Sequence, residues 1–161
     1  MTFEDAVRAT PSPVCDAYQP GKQALKGEHR EQITCRDSRR FAGSIDLEAA
    51  LTTGQAQIAV NLWDYGLGFR ERDGREVALW IEVHPASTAE VSTVIKKLAW
   101  LRDWLRQEAP GLRALSRGHS AGNSYFWLAT AAGVHITPNS PQARSLRQAG
   151  LALPRRTLEL R

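Results

Sequence analysis

Glu82 and His84 are the residues whose types and spacing point most directly to chemistry. They lie in the run Val77-Ala-Leu-Trp-Ile-Glu-Val-His-Pro-Ala86, which is otherwise apolar and predicts a buried strand. Removing a carboxylate from water is costly, or shifts its pKa, unless a cation, a metal ion or hydrogen bonds compensate the charge. We therefore expect Glu82 to have a charged or hydrogen-bonding partner elsewhere in the chain.

A β-hairpin is the element that must position this strand. Arg72-Asp-Gly-Arg75 is a tight-turn sequence between two strand-like runs, Trp63 to Arg70 and Glu76 to Val83. The pairing register of these strands decides which side chains Glu82 meets, because a shift of one residue moves every side chain to the other face.

Two registers of the hairpin place Asp64 differently. With an even number of loop residues, Glu82 faces Tyr65 and Asp64 points to the opposite side of the sheet. With an odd number, or with a bulge, Glu82 lies opposite Gly66 and His84 lies opposite Asp64. The second register brings two carboxylates and an imidazole to one strand face.

Asp64 and Glu82 would then form a site for a hard divalent cation. Mg²⁺ is commonly held by one or two carboxylates together with waters and substrate phosphate oxygens. Gly66 and Gly68 carry no side chains and would leave room for a ligand on that face. The pattern predicts a site for Mg²⁺ or Mn²⁺ between the two strands.

The same residues resemble the PD-(D/E)XK nuclease superfamily. That family places an Asp on or near one strand, then Glu-x-Lys at the end of an apolar strand, and then an amphipathic helix. Asp64 and Glu82-Val-His84 are similar to this pattern, and Gly43-Ser-Ile-Asp46-Leu resembles a Gly-x-Ile-Asp-Leu strand of one bacterial branch. The resemblance covers roughly residues 31 to 107 and implies a restriction-endonuclease-like fold.

The resemblance also implies metal ligands and a substrate. Asp64 and Glu82 would bind Mg²⁺ or Mn²⁺, and Asp46 would be the metal ligand of the Gly-x-Ile-Asp-Leu strand. Glu31 would be the additional Glu that some members supply from an earlier helix. The implied reaction is hydrolysis of a phosphodiester bond in DNA.

His84 departs from the family pattern because it stands where the lysine belongs. In the family that lysine orients or activates the attacking water. A neutral imidazole accepts a proton or binds a metal, but it supplies no fixed positive charge at pH 7. Lys97, on the helix after the strand, would reach the site from another direction, as in members with a displaced catalytic residue.

Each of these residues also has a structural interpretation. Asp46 lies in the first turn of a short predicted helix, where a carboxylate complements the helix dipole. Asp64 would hydrogen-bond across the sheet, Glu82 would form a buried salt bridge, and His84 would be a satisfied residue at the end of a strand. Lys97 and the lysine before it would belong to a solvated helix face.

The composition indicates one cytoplasmic domain. The 161 residues have 42% hydrophobic content and a formal net charge of +4, and arginine greatly outnumbers lysine, which favours bidentate contacts with phosphate or carboxylate groups. Residues 1–30 combine a short predicted helix, Phe3 to Arg8, with several prolines and predict an irregular, peripheral arm, so the domain is expected to span residues 31–161. We expect neither a signal peptide, because acidic residues come early, nor a membrane span, because no apolar run is long enough.

The remaining elements complete an α/β prediction. Apolar residues recur at helical spacing between residues 88 and 107. Ser140 to Arg147 predicts a second helix with Gly150 as its cap, and Ser44 would begin a short helix that ends at Gly54. We expect a small, mainly antiparallel central sheet flanked by the 88–107 helix and the C-terminal helix.

Three functions are compatible with these patterns. The first is a nuclease-like protein that cleaves DNA with Mg²⁺, in which His84 positions or deprotonates water. The second is a non-catalytic binding or interaction module derived from the same fold. The third is a small enzyme that acts on a nucleotide or another phosphate ester in a closed pocket.

Overall fold

The computed structural model describes residues 1–53, 61–116 and 122–161 of the chain. The helices are α1 (Phe3–Arg8), α2 (Gly27–Glu31), α3 (Leu47–Thr52), α4 (Val91–Gln107), α5 (Pro110–Ser116) and α6 (Pro141–Ala149). The strands are β1 (Ile33–Cys35), β2 (Phe41–Asp46), β3 (Tyr65–Arg70), β4 (Glu76–Val83), β5 (Ala86–Ser87), β6 (Tyr125–Leu128), β7 (Val134–His135) and β8 (Leu158–Leu160). Gly54, the predicted end of a helix, lies outside the described residues.

Four strands form the central sheet in the order β2-β3-β4-β6. β3 pairs antiparallel with both β2 and β4, whereas β6 lies parallel to β4. Parallel neighbours need a long crossover connection, and α4 and α5 lie in the connection between β4 and β6. The prediction of a mixed α/β fold with a mainly antiparallel central sheet is confirmed.

The predicted hairpin is formed by β3 and β4, although β3 begins at Tyr65, two residues later than expected. The two strands pair from Tyr65 with Ile81 to Arg70 with Glu76, which leaves residues 71–75 as the loop. The predicted bounds of β4 are those of the structure. The loop contains five residues, an odd number, but Gly66 pairs with Trp80 and not with Glu82, so neither predicted register is observed.

The side chains of β4 alternate between two cores. Ala78 and Trp80 point to a face that α1, α4, α5 and α6 cover. Leu79 and Ile81 point to the other face, which β1 and β8 help to close. The two helices that were expected to flank the sheet, α4 and α6, therefore pack on the same face.

The helix termini follow local capping chemistry. α6 begins after Ser140, whose hydroxyl accepts a backbone N–H, and ends at Gly150 in the left-handed conformation, as predicted. α3 begins two residues later than expected, because Asp46 is its N-cap while Ser44 is a fully buried residue of β2. None of the described helices is both long and apolar enough to cross a lipid bilayer.

In residues 1–30 the helix expected over Phe3 to Arg8 is present as α1, but it is not peripheral. Phe3 and Val7 of α1 are 0% exposed and belong to the core on the helical face of the sheet. Thr2 and Asp5 form a capping box that begins this helix. The first helix therefore packs as part of the same core as the central sheet.

Candidate active site

Glu82 lies near the end of β4, on the helical face of the sheet. Its side chain is 0% exposed. One carboxylate oxygen, Oε2, accepts the backbone N–H of Asp64 at 3.1 Å, and the other, Oε1, forms an ion pair with the Lys97 ammonium. The partner expected for this buried carboxylate is therefore a lysine together with a backbone N–H.

Lys97 reaches Glu82 because it lies on the buried side of α4. It follows Val94 by three residues and precedes Leu101 by four, so these side chains share one helix face. Its side chain is 15% exposed, whereas the neighbouring Lys96 is an exposed residue. The interpretation as a solvated helix face is right for Lys96 and wrong for Lys97.

Asp64 stands beside Glu82 at the same end of the sheet. The pairing of Tyr65 with Ile81, continued by one residue, places the two acidic residues opposite each other. Oδ2 of Asp64 accepts the backbone N–H of Val83 at 2.9 Å. Both predicted registers are wrong in their residue pairs, but the odd loop does bring the two carboxyl groups together.

Burial and crowding of like charges shift the pKa values of this group. Burial, and then the charge of Glu82, raises the pKa of Asp64 to about 8. Burial likewise raises the pKa of Glu82 to about 7, although Lys97 opposes that shift. Burial alone would lower the pKa of Lys97, but the nearby carboxyl groups outweigh it and the pKa is raised. The site therefore holds more acidic groups than its single ammonium neutralises.

Glu48 is a third carboxyl group at this site, and the sequence interpretation missed it. The backbone N–H of Leu47 donates to the carbonyl of Asp64 at 2.8 Å, which holds the first turn of α3 against Asp64. The Glu48 carboxyl group also contributes to the raised pKa of Asp64. The only sequence signal was an acidic residue in the first turn of a helix, a position that usually indicates capping.

His84 lies at the edge of the site, with its side chain 21% exposed. Its Nε2 atom is 2.8 Å from Oε2 of Glu90, and its Nδ1 atom is 3.7 Å from Oε1 of Glu82. Its backbone carbonyl accepts the indole N–H of Trp127 at 3.0 Å. The imidazole is thus positioned between two carboxylates, with the closer contact to Glu90.

Asp46 lies on the other face of the sheet. It pairs with Tyr65, whose side chain belongs to the second core, while its neighbour Ile45 belongs to the helical core. Its Oδ1 atom accepts the backbone N–H of Ala49 at 2.9 Å. Burial raises its pKa, and the hydrogen bond from Ala49 opposes this shift. The structure shows the capping interaction and does not bring Asp46 to the other two predicted ligands.

The glycines of β3 provide space for aromatic rings of the protein. A Cβ atom on Gly66 would lie 2.8 Å from the ring of Trp80, and one on Gly68 would lie 2.5 Å from the ring of Phe3. The prediction that these glycines leave room for a ligand is therefore wrong.

Glu31, the additional Glu that the resemblance implies, is the last residue of α2, so the expected helix is present there. Its side chain lines a cavity of about 550 Å³.

The chemistry of the donor atoms suits a hard divalent cation. Asp64, Glu82 and Glu48 offer carboxyl oxygens, which are the ligands that Mg²⁺ and Mn²⁺ prefer. Across residues 1–53, 61–116 and 122–161, no group of three or more His, Cys, Asp or Glu side chains is arranged to hold a metal ion. Oε1 of Glu82 is instead paired with the Lys97 ammonium.

No protein-family model matches the chain, and neither a curated protein nor a solved structure matches it. Its function therefore has to be inferred from the site.

Proposed function

We propose that the protein is a nuclease-like protein of the PD-(D/E)XK type, with a restriction-endonuclease-like fold, which hydrolyses phosphodiester bonds in DNA with the help of Mg²⁺ or Mn²⁺. One observation carries the proposal. Asp64 and Glu82 lie side by side at one end of the sheet, and Lys97 contacts Glu82 from the helix that follows. These are the residue types that the resemblance requires, with the lysine supplied from a different element.

The excess of carboxyl groups supports a metal in this proposal. Two neighbouring carboxyls with raised pKa values and a third acidic group, Glu48, surround one ammonium. Asp64 and Glu82 would hold the ion, with Glu48 next to them. When bound, a divalent cation would neutralise charge on the phosphate oxygens of the substrate.

Lys97 and His84 would together take the role that the lysine has in the family. Lys97 supplies the fixed positive charge and keeps the Glu82 carboxylate in place. His84 would accept the proton of the attacking water at Nδ1, the ring nitrogen that does not contact Glu90. Glu90 would accept the proton of Nε2, which leaves Nδ1 unprotonated on the side of the ring that faces Glu82.

Cleavage of supercoiled and linear DNA in Mg²⁺ or Mn²⁺ tests the proposal. Asp64→Asn keeps the size of the side chain and should lower the cleavage rate by about 100-fold or more, because it removes a charged metal ligand. Asp46→Asn is the matched control on the other face of the sheet and should cleave at the wild-type rate. Equal cleavage by the wild-type and Asp64→Asn proteins would indicate a contaminating nuclease and overturn the proposal.

A second candidate is a non-catalytic binding module with the same fold. The observation that favours it is that the carboxylates already have internal partners: Lys97 and a backbone N–H for Glu82, and the N–H of Val83 for Asp64. In that case the wild-type protein would bind DNA without cleaving it in either metal. Asp64→Asn would then change stability but not DNA affinity.

A further inference from the structure

A cavity of about 410 Å³ lies at the opposite end of the sheet from Glu82, beside the loop of the β3–β4 hairpin. Four arginines line this cavity: Arg36, Arg40, Arg72 and Arg161. We call it the arginine pocket. It shares no residue with the candidate active site, so an inference about it goes beyond the proposed function.

The pairing of β1 with β8 brings two of these arginines together. The strands are parallel, with Cys35 opposite Leu160. Continuing that register by one residue places Arg36 beside Arg161. Like charges at paired positions of neighbouring strands repel each other. A bound anion would remove this repulsion.

Arg40 is held in a fixed position at the pocket. Its Nε atom donates to the carbonyl of Arg70 at 2.8 Å, and Nη2 donates to a main-chain oxygen of Arg161 at 3.3 Å. Its guanidinium carbon lies 4.5 Å from the centre of the Phe69 ring. The guanidinium is therefore ordered before any ligand binds, which reduces the entropy that binding must cost.

The arginine charges exceed the negative charges around the pocket. Arg36 and Arg72 are exposed, and their side chains have no hydrogen bond or ion pair with the part of the chain that the structure describes. Asp37 and Glu159 also line the pocket; Asp37 forms an ion pair with Arg39 at 2.9 Å, so Glu159 is the carboxylate that remains to offset the four arginines. The surplus of unpaired guanidinium groups favours an anionic ligand.

We propose that the arginine pocket binds a phosphate group. A phosphate carries up to two negative charges and several acceptor oxygens, so it can engage more than one guanidinium at once. A single carboxylate would compensate only one of the arginines. The phosphate would come either from a nucleic-acid backbone or from a small phosphate compound, and the experiment distinguishes these two sources.

The test compares two double variants that each remove two positive charges. Arg36→Gln/Arg72→Gln alters the pocket and leaves Arg40 in place. Arg144→Gln/Arg147→Gln is the matched control, because these arginines are exposed on α6 and form no ion pair within the described residues. The probes are inorganic pyrophosphate, measured by calorimetry, and a fluorescently labelled single-stranded DNA, both in a chelator that prevents metal-dependent cleavage.

We expect the pocket variant to bind at least one probe about tenfold more weakly than wild type, and the control to lose less than about twofold. Loss of DNA affinity, with a salt dependence reduced by about two charges, would identify a nucleic-acid backbone. Loss for pyrophosphate alone would identify a small phosphate compound. The proposal is overturned if the wild-type protein binds neither probe, or if both double variants lose affinity equally.

Asp64→Asn separates this proposal from the proposed nuclease function. This substitution lies at the other end of the sheet and should leave the affinity for pyrophosphate at the wild-type value. In the wild-type protein, intact phosphate binding together with absent DNA cleavage would contradict the nuclease function alone. Each double variant is first compared with wild type by urea unfolding, so that loss of binding is not confused with loss of folding.

Discussion

At one end of the central sheet, acidic residues on the two faces have different kinds of partner. On the helical face, Glu82 is buried and is held by Lys97 of α4 and by the backbone of Asp64. On the other face, Asp46 lies beside Tyr65 and bonds to the N–H of Ala49 in the helix that it begins. The partners of Glu82 therefore come from distant parts of the chain, whereas the partner of Asp46 lies in the first turn of the helix that follows it.

This difference separates a structural carboxylate from a candidate functional one. Asp46 needs nothing beyond its own helix, and a local bond of this kind is the ordinary role of Asp at an N-cap. Glu82 instead lies beside Asp64, Glu48 and Lys97, which come from three other parts of the chain. The pKa values of Glu82 and Asp64 are both raised. Perturbed, clustered groups of this kind concentrate at functional sites, although structural ion pairs also produce them.

Removing the ammonium should have the largest effect on stability. Lys97→Met leaves the Glu82 carboxylate buried without its cation. We expect the free energy of unfolding at pH 7 to fall by about 3–5 kcal/mol, as for other buried ion pairs that lose one partner. Urea unfolding, followed by circular dichroism, measures this change.

Lys96→Met is the matched control for this substitution, because Lys96 is the exposed neighbour on the same helix. Its free energy of unfolding should stay within about 0.5 kcal/mol of wild type. If Lys97→Met lowered the free energy of unfolding equally little, the Glu82 carboxylate would not need the Lys97 ammonium. The contrast drawn between the two faces would then fail.

Local patterns made much of the fold predictable. β4 has the predicted bounds because its apolar run is followed by a residue, Pro85, that does not continue a strand. α6 follows the prediction because Ser140 and Gly150 act within a few residues of the helix ends. The same principle identified the cap of α3 as one interpretation of Asp46.

The site was less predictable because it depends on long-range packing. The sequence indicated a hairpin loop but not the five-residue length that places Asp64 beside Glu82. The sequence named Lys97 as a lysine that would reach the site, but it did not identify the contact with Glu82, because only the packing of α4 on the sheet brings the two side chains together. Glu48 was missed for the same reason, since Asp64, whose pKa it raises, lies in another part of the chain, just before β3.

The pH dependence of stability should come from the helical face. The folded pKa values of Asp64, about 8, and of Glu82, about 7, exceed the roughly 4 of unfolded carboxyl groups. Between these values the folded protein binds more protons, so its free energy of unfolding falls as pH rises. The fall is at most about 1.4 kcal/mol per pH unit for each carboxyl.

Asp64→Asn should make this dependence shallower between about pH 5 and pH 8, because it removes one of the titrating groups. Urea unfolding at several pH values, in a buffer with a chelator, measures both slopes. Identical slopes for the wild-type and Asp64→Asn proteins would mean that the folded Asp64 carboxyl titrates like an unfolded one.

The smallest effect is expected on the other face, at the cap of α3. Asp46→Ala removes the acceptor for the N–H of Ala49 and should lower the free energy of unfolding by about 1 kcal/mol. Asp46→Asn keeps an acceptor oxygen at the same position, and it should lose less than about 0.5 kcal/mol, because Asn is as good an N-cap as Asp. Urea unfolding of both variants separates the role of the acceptor from that of the charge. Equal losses would show that the charge of Asp46 matters as much as its hydrogen bond, and the two faces would then differ in degree only.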